Sequence, residues 1–173
     1  YAFTRGNVVR LKGGDPFIFG RGFEEILFAR EHGIESHYVP GISSMQASGL
    51  NDIPLTHRGV SESVWMITGT KKDGSLSSDL QLAVKSKATV VIYMGMKKLT
   101  EISSSYIMSG RGAVPAAIIQ NASMPHQKQV VCEVKDLSQA AIDSGLSHPA
   151  IIIIGDVVKA AEFVAAQEAH KYA

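Results

Sequence analysis

Two short runs constrain this chain more than anything else in it: residues 89–95, "TVVIYMG", and residues 150–155, "AIIIIG". Each is nearly continuous in β-branched and apolar residues and stops at a glycine, the pattern of a strand covered on both faces rather than wet on one. Strands of that kind lie in sheets packed between helices, so the expected fold class is α/β. Both runs are far shorter than the roughly 20 apolar residues that cross a bilayer, and no membrane segment is expected.

The remaining sequence alternates accordingly. Residues 7–11 are β-branched and apolar, and Phe23, Ile26, Leu27 and Arg30 then show helical spacing that stops at Gly33. Residues 36–41, "SHYVPG", read as a short strand broken by Pro40, with Ser43 or Ser44 capping a helix that runs towards Gly49. The first part is therefore predicted to be βαβα. Residues 51–59, "NDIPLTHRG", combine turn chemistry with weak periodicity, which places the domain boundary there. Residues 1–57 are then the end of a first α/β domain and residues 58–173 a second.

In that second part we expect a strand at 63–69, a helix capped by Asp79, the strand at 89–95, and a helix marked by Leu99, Ile102, Tyr106 and Ile107 that ends at Gly110. Strands at 115–119 and 128–134, read as an antiparallel pair joined by a short loop, a helix at 137–144, the strand around Ile152 and a final alanine-rich helix complete the pattern. A length of 173 residues is enough for two small domains.

Seventeen basic and sixteen acidic side chains make the chain nearly neutral, which argues against a global nucleic-acid footprint. Any anionic partner must be met locally. The single cysteine, Cys132, excludes an internal disulfide and a multi-cysteine zinc site, and it fits a reducing, cytoplasmic setting. In the alternating stretch "QVVCEV" it reads as a small core or sheet residue, not a reactive thiol. The opening "YAFTRGNVV" has neither the apolar core of a signal peptide nor an initiating methionine, and the chain is expected to begin in mid-protein.

Residues 11–25, "LKGGDPFIFGRGFEE", form the most informative loop. A phosphate loop needs glycine, lysine and a hydroxyl in succession, whereas Gly14 is followed by Asp15 and Pro16. The dinucleotide pattern also fails, because Gly20 and Gly22 are followed by Phe23, Glu24 and Glu25. Gly13 and Gly14 let a ligand approach the backbone, Pro16 directs the exit, and Asp15 either accepts from an amine or ribose or caps the following turn. Arg21 offers a planar fork for a substrate carboxylate, while Glu25 reads as a solvated first-turn acid favourable to the helix dipole.

In order and spacing, "VVRLKGGDPFIFGRGFEE", "VPGISS", "IPLTHRG", "TVVIYMGM" and "PAAIIQNAS" resemble the uroporphyrinogen-III C-methyltransferases of the tetrapyrrole methylase family, from about Val8 to Asp156. The resemblance implies two α/β domains with the cofactor in the cleft between them, usually in a homodimer. It implies transfer of methyl groups from S-adenosylmethionine (SAM) to C2 and C7 of uroporphyrinogen III, giving precorrin-2 on the route to sirohaem and cobalamin, with no metal. A methylase of the same family acting on a later precorrin or cobalt-precorrin, or a non-catalytic ligand-binding remnant, are the alternatives.

Carried over, Gly13, Gly14, Asp15 and Ile18 match the family's first cofactor loop. Ser43 and Ser44 match the second contact, where Thr-Ala is commoner, Met94 matches the methionine of the "YMG" strand end, and Ala122 falls where glycine is frequent. Met94 by itself would read as a core residue. Arg21 and Glu24 match positions facing the tetrapyrrole, whose eight carboxylates call for cations. His57 and Arg58 are either linker packing or cleft residues, and Lys71 and Lys72 read as a solvated loop. The family's N-terminal third, with a further glycine-rich loop and acid/base residues, has no match here, so a chain starting at Tyr1 is expected to be inactive and poorly folded.

Overall fold

The computed structural model describes residues 1–160 and 162. The chain divides into two compact units, residues 1–46 and 47–173. The second is built on a mixed five-stranded sheet.

Its strands are β1 (Val64–Thr68), β2 (Thr89–Tyr93), β3 (Pro115–Gln120), β4 (Lys128–Glu133) and β5 (Ala150–Ile154), in the order β1-β2-β5-β3-β4. β1 pairs with β2 in parallel, and every other pairing is antiparallel. β5 thus enters against the grain between β2 and β3. This explains its composition: a central strand is covered on both faces, and Ile151, Ile152, Ile153 and Ile154 are all buried.

One face packs on the helices α3 (Leu80–Ala83), α4 (Leu99–Met108) and α5 (Leu137–Asp143). Val90, Ile92, Ile118, Ile152 and Ile154 meet Leu80, Ile102, Tyr106 and Leu137 there. On α4 the buried Leu99, Ile102, Ser103 and Tyr106 follow the helical period that puts one stripe on the core. The helix stops where expected: Gly110 takes φ +70°, and the Arg111 N–H returns to the Tyr106 carbonyl at 2.8 Å. Asp79 occupies the cap position of α3, but its side chain makes no capping hydrogen bond. The expected alanine-rich C-terminal helix falls on residues that lie largely outside those described, beyond a 3-10 turn at Asp156–Lys159.

The first unit departs from the βαβα expectation. It contains α1 (Ala2–Arg5) and α2 (Gly22–Glu31), but neither 7–11 nor 36–41 forms a strand. The reason is physical, since a strand exists only through its ladder and among the described residues neither run has a partner. Val9, Leu11, Val39 and Ile42 are consequently exposed. The helix expected after Ser43 is a 3-10 helix, Ser44–Asn51, through which the chain passes into the second unit. The stretch 51–59 lies within that second unit. No helix of the described residues is long and apolar enough to cross a membrane.

Candidate functional site

In the first unit, the Gly13–Gly14–Asp15 loop and the turn after Tyr38 are clasped together through one carboxylate. Asp15 is buried, and its Oδ1 accepts the Phe17 N–H at 2.8 Å, an Asx-turn that bends the loop at Pro16. Its Oδ2 accepts the Tyr38 hydroxyl and, at 3.3 Å, the Gly41 N–H. The Asp15 N–H in turn donates to Ser43 Oγ at 3.1 Å. The rings of Tyr38 and Phe17 stack with centroids 4.1 Å apart. The Tyr38 hydroxyl, followed by the Phe17 N–H, holds the Asp15 carboxyl below its usual range, and the hydrogen bond to Asp15, then burial, pushes the Tyr38 phenol up.

The glycines fit this closeness. A Cβ on Gly41 would stand 2.5 Å from the Gly14 carbonyl oxygen, and Gly14 itself takes φ +76°. Gly13 differs, because it is exposed, has no left-handed φ, and a Cβ there would meet nothing within 4 Å. Internal packing does not demand a glycine at 13. Of the remaining candidates, half-buried Ile18 donates its N–H to the Asp15 carbonyl, and exposed Ser44 opens the 3-10 helix. Buried Ser43 donates its N–H to the Gln46 side chain, at Oε1, 2.6 Å away.

The segment Gly20–Arg21–Gly22 is a sharp turn pressed on Pro16: a Cβ on Gly20 or Gly22 would come within 2.6 or 2.7 Å of the Pro16 carbonyl oxygen. Arg21 sits between them with φ +57° and caps α2 by position. Its guanidinium is exposed and holds Glu24 Oε2 through Nε at 2.9 Å and Nη2 at 2.5 Å. That pairing raises the Arg21 pKa. Arg21 and Glu24 are thus brought together on the first turn of α2, on an open surface. Glu25 is more than a solvated acid. It takes Lys12 Nζ at 2.6 Å and Arg10 at 3.5 Å, and the Lys12 hydrogen bond lowers its pKa.

In the second unit β1, β2 and β3 run in one direction, so their carboxyl ends share an edge of the sheet. Met94 follows β2 with φ +56°, and its side chain is exposed at this edge, not in the core. Its carbonyl accepts the Thr70 hydroxyl at 2.8 Å, and Gly69 lies so near Gly95 that a Cβ would stand 2.5 Å from the Gly95 Cα. Ala122, half-buried, lies in the turn after β3, where Asn121 takes φ +50° and donates to the Pro149 carbonyl at 3.1 Å. With β5 between them, the ends of β2 and β3 are two strand spacings apart, about 10 Å. Carboxyl ends of strands are the usual ligand side of α/β sheets.

His57 and Arg58 belong to a tight turn closed by the His57–Ser61 bridge, and Ser61 Oγ accepts both the N–H and the hydroxyl of Thr89. Thr89 begins β2, so this turn sits at the sheet edge opposite Met94. Lys71 and Lys72 lie in an exposed loop organised by Asp73 and Ser75. Cys132 lies half-buried on β4, where burial, aided by Asp136 and Glu133, pushes its thiol up to about 11. Among the described residues no three His, Cys, Asp or Glu side chains group as a metal site.

Tyr38, Lys12 and Thr70 are the members of these arrangements that sequence reasoning missed. The signal nearest to a clue was a phenol two residues before the Pro40–Gly41 turn.

The family model of tetrapyrrole (corrin/porphyrin) methylases matches residues 1–138. A siroheme synthase from Chromobacterium violaceum is 43% identical over 157 residues, covering 90% of this chain and 33% of that protein. A uroporphyrinogen-III C-methyltransferase from Bacillus subtilis is 40% identical over 161 residues, 91% of this chain and 63% of that one. Among solved structures, a uroporphyrin-III C-methyl transferase from Thermus thermophilus complexed with S-adenyl homocysteine superposes with a TM-score of 0.80 and 34% identity, covering 92% of this chain and 70% of that chain. The chain therefore spans about a third of the siroheme synthase and under two thirds of the Bacillus protein.

Proposed function

The chain belongs to the tetrapyrrole methylase family, and on that premise we propose that it is a SAM-dependent C-methyltransferase converting uroporphyrinogen III to precorrin-2 by methylation at C2 and C7, in sirohaem and cobalamin biosynthesis. The observation that carries the reading is Gly13. Its missing side chain serves no internal contact, and it lies in a loop whose one acid is already engaged, so what it offers is open backbone to a neutral or cationic ligand. The names of the Bacillus and Thermus relatives, and the S-adenyl homocysteine held by the latter, support the same choice.

SAM supplies a methyl carbon activated by a sulfonium. Gly13, Gly14, Asp15, Ile18, Ser43, Ser44, Met94 and Ala122 are proposed to contact it, those of the glycine loop mainly through backbone groups. Aligning the nucleophilic ring carbon with that methyl is a positioning effect, which rigid loops provide. Arg21 receives a substrate carboxylate, in competition with Glu24, which holds the same fork in the free protein. Arg21 and Glu24 are the residues proposed to face the tetrapyrrole, in a protein that works as a homodimer.

The test is to incubate the full-length protein with SAM and uroporphyrinogen III and weigh the product. A gain of two methyl groups is expected. No methylation, together with turnover of a later precorrin, overturns the assignment. Arg21→Ala is expected to lower turnover about tenfold while SAM affinity is kept; unchanged turnover removes Arg21 from the site.

A further inference from the structure

We propose that Tyr38 is a positioning residue for the methyl donor: acting through the Asp15 carboxylate, its hydroxyl holds the Gly13–Ile18 loop and the turn at residues 39–44 in one fixed register. The inference rests on the reading of that loop as the cofactor loop.

Four contacts converge on this point, all within the first unit. Asp15 Oδ2 is shared by the Tyr38 hydroxyl and the Gly41 N–H, while Oδ1 is committed to the Phe17 N–H. The Asp15 N–H reaches Ser43 Oγ. Both oxygens of the carboxylate already accept from the protein's own groups, so its work in the free protein is to fix backbone. The Tyr38 hydroxyl is the only side-chain donor among these partners, and a bond from a neutral donor to an ionised acceptor is stronger than a neutral pair. The ring adds a second hold, because it stacks on Phe17, which itself meets Phe23 of α2 edge-on at 5.9 Å. Hydroxyl and ring therefore grip the loop at two successive points, at Asp15 and at Phe17.

The phenol reaches the carboxylate from the segment just before Pro40, whose own fixed φ limits how the turn can relax once the hydroxyl is gone. Removing it leaves Oδ2 with the long Gly41 bond alone, 3.3 Å, and frees the two segments to slide. An opening of about 0.5 Å is enough to misplace backbone donors aimed at a bound molecule.

Tyr38→Phe keeps the ring stack and deletes only the hydroxyl. Two readouts separate this inference from the reading it rests on. Amide hydrogen exchange at Phe17 and Gly41 reports the clasp without any ligand, and faster exchange at both, with the amides of β2 and β5 unchanged, is expected. Binding of S-adenosylhomocysteine reports the cofactor role, with affinity falling about tenfold and the KM for SAM rising in step while kcat is kept. In an Asp15→Asn background the hydroxyl loses its charged acceptor, so Tyr38→Phe should there add little to either readout. Unchanged exchange at Phe17 and Gly41 overturns the positioning role, as does an equal effect of Tyr38→Phe with and without Asp15. If the wild-type protein does not bind S-adenosylhomocysteine, the reading of this loop as the cofactor loop fails, while the exchange data, which need no ligand, still decide the role of Tyr38.

Discussion

Gly41→Ala tests the clasp by force. The backbone angle at Gly41 is one alanine can adopt, so the objection to a side chain is purely contact. Its Cβ would stand 2.5 Å from the Gly14 oxygen, 3.0 Å from the Gly14 carbonyl carbon and 3.4 Å from the Asp15 Cα. All three are backbone atoms, so no rotamer change relieves the clash. Reaching an ordinary contact of 3.4 Å requires the segments to part by 3.4 − 2.5, about 0.9 Å. The Gly41 N–H bond to Asp15 Oδ2, already 3.3 Å, does not survive that displacement. Overpacking of this kind costs about 1–3 kcal/mol. If the strain is released by opening the loop, the whole amount appears in ligand affinity, roughly a 5- to 150-fold loss.

The assay is calorimetric titration with S-adenosylhomocysteine beside a thermal melt, with Gly13→Ala as the matched control. A methyl on Gly13 meets nothing within 4 Å, so that variant should melt like wild type and lose affinity only because the ligand needs the space. A Gly41→Ala protein with wild-type affinity and an unaltered melt would refute the reasoning, since a backbone clash cannot be silent in both.

Three further outcomes follow from the core and the thiol. The Tyr106 hydroxyl is buried with no hydrogen-bond partner among the described residues, and burial pushes its pKa up to about 12; Tyr106→Phe should therefore stabilise by about 1 kcal/mol, seen as a higher urea midpoint, and a lower midpoint contradicts it. Cys132, with its thiol raised to about 11 chiefly by burial, should react with a disulfide reagent at pH 8 far more slowly in the native than in the unfolded protein. The sign for stability follows: the unfolded thiol ionises near 9 and the folded one near 11, so this contribution is complete below pH 9 and is lost as pH rises to 11. Comparing alkaline denaturation of wild type with Cys132→Ala checks it, and a loss on the acid side would reverse the argument.

What was legible in advance was whatever a segment states about itself. β2 and β5 are apolar without interruption because both of their faces are covered, and α4 ends at Gly110 because a left-handed residue is needed there. The antiparallel β3–β4 pair could be read because two runs lie close in sequence. The first unit misled for the complementary reason: residues 7–11 and 36–41 have strand-like composition, and pairing is not a property of composition. The same limit applied to the site. Gly13 and Gly14 announce a ligand loop locally, and Met94 reads as a core residue until its place after a central strand is known. The Tyr38 to Asp15 bond joins residues 23 apart, and nothing in either neighbourhood points to the other. Sheet order was likewise invisible, since no local pattern says that β5 inserts between β2 and β3.

That insertion sets a timetable for synthesis. On the ribosome β2 and β3 emerge well before β5, yet neither can bond to the other, because the position between them belongs to residues 150–154. β1 can pair with β2, and β4 with β3, as two separate hairpin-sized pieces whose inner edges wait unsatisfied. Only when the isoleucine run clears the tunnel do the halves join, and the spacing between Met94 and Ala122 comes into being with that last stitch. A nascent chain halted before Ile154 would hold both residues and no geometry between them.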